Sequence, residues 1–253
     1  MRKLTHKFEG SNPTWVRRAS KDEDLVDVTC DALDELIIED QRFIAERLTG
    51  EPIIGTPVSI ITASSQELPL ATDSVDLILT SPPYLTRIDY AVAYSRELAI
   101  LGVNIAEDRT LRAALMGTTL IRKQPNSGAT PYGRVATDLV EKVATHKSKA
   151  SSGYYLKQTR QYLDDLIASF DEIARVAKDD AVMKLVVQDS YYKDIPVPLA
   201  DICVEEAERR GWKFRDWDKT EVSRLLTQVN KAARAYSKGK VEETVIILQR
   251  RSR

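Results

Sequence analysis

The sequence predicts an α/β protein built on a doubly wound sheet. Two observations carry that expectation. Short apolar runs suited to buried strands, at 58–62, 75–79 and 181–187, alternate with stretches of helical apolar spacing at 31–48, 90–101, 155–178 and 202–210. The chain has 253 residues, 43% of them apolar, which is enough for one large domain with a real core spanning 1–253.

Composition also narrows function. The net charge is −1, so binding to nucleic acid needs a local basic surface rather than an overall positive charge. Cys30 and Cys203 are too few and too far apart for a metal site or a disulfide framework, and read as two buried thiols in a reducing compartment. No apolar run approaches the ~18 residues a membrane span needs, and no signal-peptide pattern is present, so a cytoplasmic protein without a membrane partner is expected.

Taken in order, residues 1–21 form a basic arm, read either as solvated or as a contact for phosphates. Residues 24–30 suit a strand. From Asp31 a helix is expected, with Leu33, Leu36, Ile37, Phe43, Ile44 and Leu48 on its apolar stripe, ended by Gly50 and Pro52. Residues 58–62 read as the next strand, and Val75 to Leu79 as a buried one entered from the turn-like Thr72-Asp73-Ser74. A helix is expected over 90–101. Residues 106–153 are irregular, with Gly and Pro loop signals, an excess of basic residues including Arg122 and Lys123, and Tyr132 as an available ring. That insertion reads either as a solvated excursion or as a target-recognition or lid segment, with Tyr154 and Tyr155 just beyond it as further rings. A long amphipathic helix over 155–178, a buried strand over 181–187 and a helix over 202–210 ended by Gly211 complete the pattern.

The chemistry concentrates where the strand at 75–79 stops. Ser81-Pro82-Pro83-Tyr84 follows it, and each proline fixes φ and removes an N–H, so neither ladder nor helix can run through. Each also holds the residue before it extended. The corner offers one hydroxyl, carbonyls without neighbouring donors, and an aromatic face, at the carboxyl end of a strand where open α/β sheets place their ligands. A planar base with an exocyclic amino group could stack on Tyr84 and give its amino hydrogens to Ser81 Oγ and a carbonyl of the Ser81-Pro82 unit.

At this point the chain resembles the amino-methylating DNA methyltransferases, which modify N4 of cytosine or N6 of adenine. Their catalytic loop reads Ser/Asp/Asn-Pro-Pro-Tyr after an apolar strand. The resemblance runs from about Pro57 to Arg250 and is densest from Leu68 to Gly102. It implies a class I methyltransferase-like fold on a mixed sheet, with 212–217 and 243–248 as a closing antiparallel pair. It implies Ser81, Pro82, Pro83 and Tyr84 as the catalytic group, S-adenosylmethionine as cofactor and DNA as substrate. The Ser form of the loop favours N4 of cytosine.

The resemblance further implies cofactor contacts at Ser64, Ser65, Thr80 and Asp27, and substrate or DNA contacts at Arg87, Asp89, Arg122, Lys123, Asp189 and Ser190. For Arg87 and Asp89 a plain mutual ion pair is the alternative. The chain departs from the family in one large respect: it has ten glycines and no Gly-x-Gly, so the family's glycine-rich cofactor loop is missing. The first β-α unit is therefore expected to be missing or degenerate. Residues 25–30 are either a plain strand or the stub of the cofactor strand. A second reading follows, a half-site subunit that binds DNA or a second subunit supplying that loop.

Overall fold

The computed structural model describes residues 28–50, 55–85, 89–105, 107–122, 131–148, 151–222 and 239–252. The expectations for the basic arm, Asp27, Arg87 and Lys123 lie outside the described residues. The described residues divide into two compact units, one up to Thr62 and the other from Ala63 onward.

In the first unit, α1 (Cys30–Leu48) is the expected amphipathic helix. Thr29 caps it, its hydroxyl accepting from Ala32 N at 3.2 Å. None of its residues is buried, and Ile37, Ile38, Phe43 and Ile44 are exposed. Cys30 is exposed too, which corrects the expectation of two buried thiols, while Cys203 is buried as expected. Residues 58–62 are not a strand. Val58 is 76% and Ile60 95% exposed. A strand needs a neighbour to complete its ladder, and among the described residues none pairs with this run.

The second unit is a mixed α/β layer structure. Its four-stranded sheet has the order β1-β2-β6-β5, from β1 (Val75–Thr80), β2 (Ala177–Gln188), β5 (Trp212–Glu221) and β6 (Glu242–Arg250). β1 runs parallel to β2, whereas β6 is antiparallel to both β2 and β5. The closing antiparallel pair is thus present. A small hairpin, β3 (Ser190–Tyr192) with β4 (Ile195–Val197), follows β2.

Between β1 and β2 come α2 (Tyr90–Ala93), α3 (Ser95–Ile100), α4 (Arg109–Ala114), α5 (Arg134–Thr145), a single π-turn (Ser151–Tyr155) and α6 (Leu156–Val176); α7 (Leu199–Glu208) precedes β5. One face of the sheet is closed by α5, α6 and α7. Ala181, Met183, Leu185 and Val187 of β2 alternate into that core with Ile246 and Leu248 of β6. Tyr162 and Phe170 of α6 and Trp212 fill it.

The opposite face carries Leu77 and Leu79 of β1, in register with Val182 and Lys184. Leu77 is 62% and Leu79 72% exposed, so β1 is not the buried strand expected over 75–79, and among the described residues it pairs only with β2.

Three element expectations need correction. The helix over 90–101 is broken at Tyr94 (φ −101°, ψ 18°) into α2 and α3. The irregular stretch 106–153 contains the ordered helix α5. Its Ala136, Leu139, Val140 and Val143 are buried at i, i+3, i+4 and i+7 spacing. The carboxylates of Glu205 and Glu206, on α7, accept the N–H groups of Gly133, Arg134 and Val135 at 2.6–2.9 Å, which satisfies the orphan donors of α5. Finally, α6 passes directly into β2 at Ala177, and Asp180 takes a left-handed φ of 63° where a turn glycine was absent.

Candidate functional site

β1 delivers the chain to the corner with Thr80 at its last position. Ser81 is exposed, Pro82, Pro83 and Tyr84 are half-buried, and Leu85 is buried in the core. Two hydrogen bonds hold the corner from behind. Tyr162 OH, on α6, donates to the Pro83 carbonyl at 2.6 Å, and Ser190 Oγ donates to the Leu85 carbonyl at 3.2 Å. Burial pushes the Tyr162 phenol well above its usual range, so it remains a neutral donor. Neither bond uses the Ser81 hydroxyl, and Ser81 is exposed at the head of the corner.

Tyr84 lies near Tyr90, and Tyr162 lies near both. Burial, and then the neighbouring Tyr84 and Tyr94 phenols, push the Tyr90 phenol up. Tyr90 and Tyr94 stack with ring centroids 6.4 Å apart and planes within 9°.

Just beyond the corner, Asp89 is the centre of a buried knot. Its Oδ1 caps α2 by accepting from Val92 N at 3.3 Å. Its Oδ2 accepts from Arg112 Nε and a second Arg112 nitrogen at 2.9 and 2.8 Å, and from Thr119 N and Oγ1 at 3.1 and 2.8 Å. Burial alone pushes the Asp89 carboxyl up, but the Arg112 and Thr119 hydrogen bonds outweigh it and hold it below the usual carboxylate value. The partner of Asp89 is therefore Arg112, which the sequence did not single out.

The remaining candidates divide into those the structure gathers at the corner and those it employs elsewhere. Ser190 is at the corner, buried, as a brace. Asp189 is one residue away and caps the following helix, its Oδ1 accepting from Ala200 N at 3.1 Å; burial pushes its carboxyl up. Arg122 is engaged by the wholly buried Asp165 side chain at 2.6 Å, and its backbone N–H donates to Gln161 Oε1 at 2.9 Å. That pairing makes Arg122 a strut between the 118–122 segment and α6 rather than a free cation. Tyr132 OH donates to Asp164 at 2.7 Å, and Tyr154 OH to the Thr119 carbonyl at 2.6 Å.

Of the cofactor candidates, only Thr80 stands at the carboxyl end of β1. Ser64 Oγ accepts from Gln66 N at 3.2 Å, closing a local turn. Ser65 Oγ is hydrogen-bonded to Ser169 Oγ at 2.8 Å, on α6. Both hydroxyls are thus engaged within the fold. Among the described residues, the corner offers hydrogen-bond acceptors, the Ser81 hydroxyl and carbonyls beside prolines that lack an N–H, and does not by itself make a cradle for a nucleoside cofactor. Among them too, no cluster of three or more His, Cys, Asp or Glu is placed to hold a metal ion.

Sequence reasoning missed Tyr162 and Thr119 as well as Arg112. Tyr162 was legible as a core position on α6, and its hydroxyl inside an apolar stripe is the signal that a buried acceptor had to be near it.

Comparison with known proteins gives distant relatives. No family model matches the chain. Type II methyltransferase M.BsoBI of Geobacillus stearothermophilus is 27% identical over 170 residues, 58% of this chain and 33% of that protein. Type II methyltransferase M.AvaI of Nostoc sp. is 42% identical over 52 residues, 21% of this chain and 11% of that protein. The chain thus spans about a third or less of the length of these curated relatives.

Among solved structures, a protein described as a DNA modification methylase from Thermus thermophilus, complexed with S-adenosyl-L-methionine, aligns with TM-score 0.36 and 14% identity over 75% of this chain and 51% of that one. A 16S rRNA (adenine(1408)-N(1))-methyltransferase aligns with TM-score 0.25 and 14% identity over 71% of this chain and 88% of that one. At these TM-scores the fold class rests on the chain's own mixed sheet.

Proposed function

We propose that the chain is a DNA methyltransferase that methylates an exocyclic amino nitrogen, N4 of cytosine before N6 of adenine. The observation that carries this reading is the corner itself. An exposed Ser81 hydroxyl and a half-buried Tyr84 ring sit on a doubly proline-stiffened loop at a strand's carboxyl end, and Tyr162 and Ser190 fix that loop from behind. The distant similarity to type II methyltransferases supports it.

The target base leaves the duplex and lies against Tyr84. Its two amino hydrogens are accepted by Ser81 Oγ and a carbonyl of the Ser81-Pro82 unit. Those bonds turn the nitrogen's lone pair away from ring conjugation. An N–CH₃ bond would form on that lone pair as the cofactor's sulfonium S–CH₃ bond breaks and its sulfur leaves as a neutral thioether, and a proton would leave the nitrogen toward the same acceptors. Positioning supplies most of the rate enhancement, so no cysteine nucleophile is needed. S-adenosylmethionine supplies the electrophilic methyl group. Ser64 and Ser65 would meet it with hydroxyls that each already make one hydrogen bond within the fold.

One observation favours a second reading, in which a separate subunit completes the site. Among the described residues β1 pairs only with β2 and lies beside the exposed Leu77 and Leu79, and the chain has no Gly-x-Gly. A methylation assay on the purified chain with S-adenosylmethionine and DNA separates the two. Turnover by the chain alone, lost in Ser81→Ala, supports the complete enzyme. No thermal shift at millimolar cofactor, with turnover restored by a second polypeptide, supports the half-site.

A further inference from the structure

We propose that the stacked pair Tyr90–Tyr94 is a second aromatic platform, which holds the DNA base next to the one presented at the Ser81–Tyr84 corner. The proposal rests on the DNA-methylating reading and adds the strand neighbour of the target as a bound group.

Three features of the pair point to a ligand. Its rings are parallel within 9°, with centroids 6.4 Å apart, near the wide end of the roughly 4.5–7 Å range of aromatic contacts. Tyr94 is 45% exposed, so one ring presents a face to solvent. The pair is also rigidly mounted. Tyr90 follows directly on Asp89, whose carboxylate is locked by Arg112 and Thr119, and Tyr94 sits at the break between α2 and α3.

The location matters as much as the geometry. Tyr90 lies six positions beyond Tyr84, and the Tyr84 and Tyr90 phenols both act electrostatically on that of Tyr162, so the stacked pair neighbours the corner. When a base is extruded from a duplex, its neighbour loses one stacking partner. A tyrosine face beside the extruded base replaces that partner. Such stacking is sequence-tolerant, because every base has a π-face. The platform therefore positions the strand and does not read it.

The test compares binding of a short oligothymidylate with that of an abasic strand of equal length, by fluorescence anisotropy, for the wild-type chain and for Tyr94→Phe and Tyr94→Leu. Leucine keeps apolar bulk at a half-exposed site, and a thermal melt matching the wild type shows that the fold is kept. The wild type and Tyr94→Phe should prefer the base-bearing strand by about tenfold or more. Tyr94→Leu should lose most of that preference while binding the abasic strand as the wild type does. A Tyr94→Leu chain that keeps the full preference overturns the platform, as does a wild type that does not tell the strands apart even if it methylates DNA. A wild type that makes the distinction yet forms no methylated base, either alone or with a completing second polypeptide, keeps the platform and overturns the methyl-transfer reading.

Discussion

Ser81 and Asp89 sit eight positions apart and do opposite jobs, one exposed and one locked in. Replacing Ser81 by Ala removes an acceptor from the reacting amine without touching the braces behind the corner. Steady-state methylation should show kcat lowered by about a hundredfold, with KM for DNA little changed. Tyr84→Phe should keep most activity and Tyr84→Ala should lose DNA affinity, since the ring and not the hydroxyl is the platform.

Asp89 is expected to carry stability. Losing its carboxylate strands Arg112, and Asp89→Ala should cost about 3–5 kcal/mol in urea unfolding. Its folded pKa is depressed, so its contribution is fully present above the unfolded carboxylate value of about 3.9 and fades as pH falls through the lower folded value. Urea midpoints of wild type and Asp89→Asn should therefore differ at neutral pH and converge in acid. The corner was legible in the sequence because four consecutive residues state it. The knot was not, because Arg112 lies 23 positions from Asp89 and nothing local links them.

At the scale of elements, α6 is the spine of the site. Its middle holds the corner through Tyr162 and the 118–122 segment through Asp165. Its C-terminal end clamps the entry to β1: Glu172 accepts from Leu68 N at 2.8 Å, and Arg175 donates to the Leu68 and Leu70 carbonyls at 2.9 Å. The Arg175 hydrogen bond, then the Leu68 N–H, bring the Glu172 carboxyl down to about 2, so the clamp holds at all but strongly acid pH. Tyr162→Phe leaves the Pro83 carbonyl without its donor. It should cost about 1 kcal/mol in stability and lower kcat more than it raises KM, because the corner loosens.

The long α6 was legible from its apolar period. α5 was obscured by loop signals on both sides, although its buried positions keep helical spacing. The strand expected at 58–62 fails because an apolar run specifies burial, and only a neighbouring ladder makes it a strand.

At the scale of the molecule, the sheet of the second unit has one closed face and one that leaves Leu77 and Leu79 largely exposed. Because those leucines are already in contact with solvent, Leu77→Ser and Leu79→Ser should change the stability of the isolated chain by less than about 1 kcal/mol. Leu185→Ala, on the closed face, should cost about 2–5 kcal/mol. A complete partner layer over the open face would raise the cost of the first pair, and denaturation with and without cell extract components that restore turnover reads that difference. The α/β class was legible because alternation of periods survives any local error. The division into two units was not, because α1 has a helix's apolar stripe and no residue of it is buried.

The central claim is that the corner after β1 presents a base amine for methylation. Mass spectrometry of nucleosides from the DNA of cells carrying the wild-type gene, the Ser81→Ala gene or neither tests it most directly. The account predicts N4-methylcytosine, or failing that N6-methyladenine, that appears with the wild-type gene and falls to the gene-free level with Ser81→Ala. Equal amounts of either methylated base in all three cultures would contradict it.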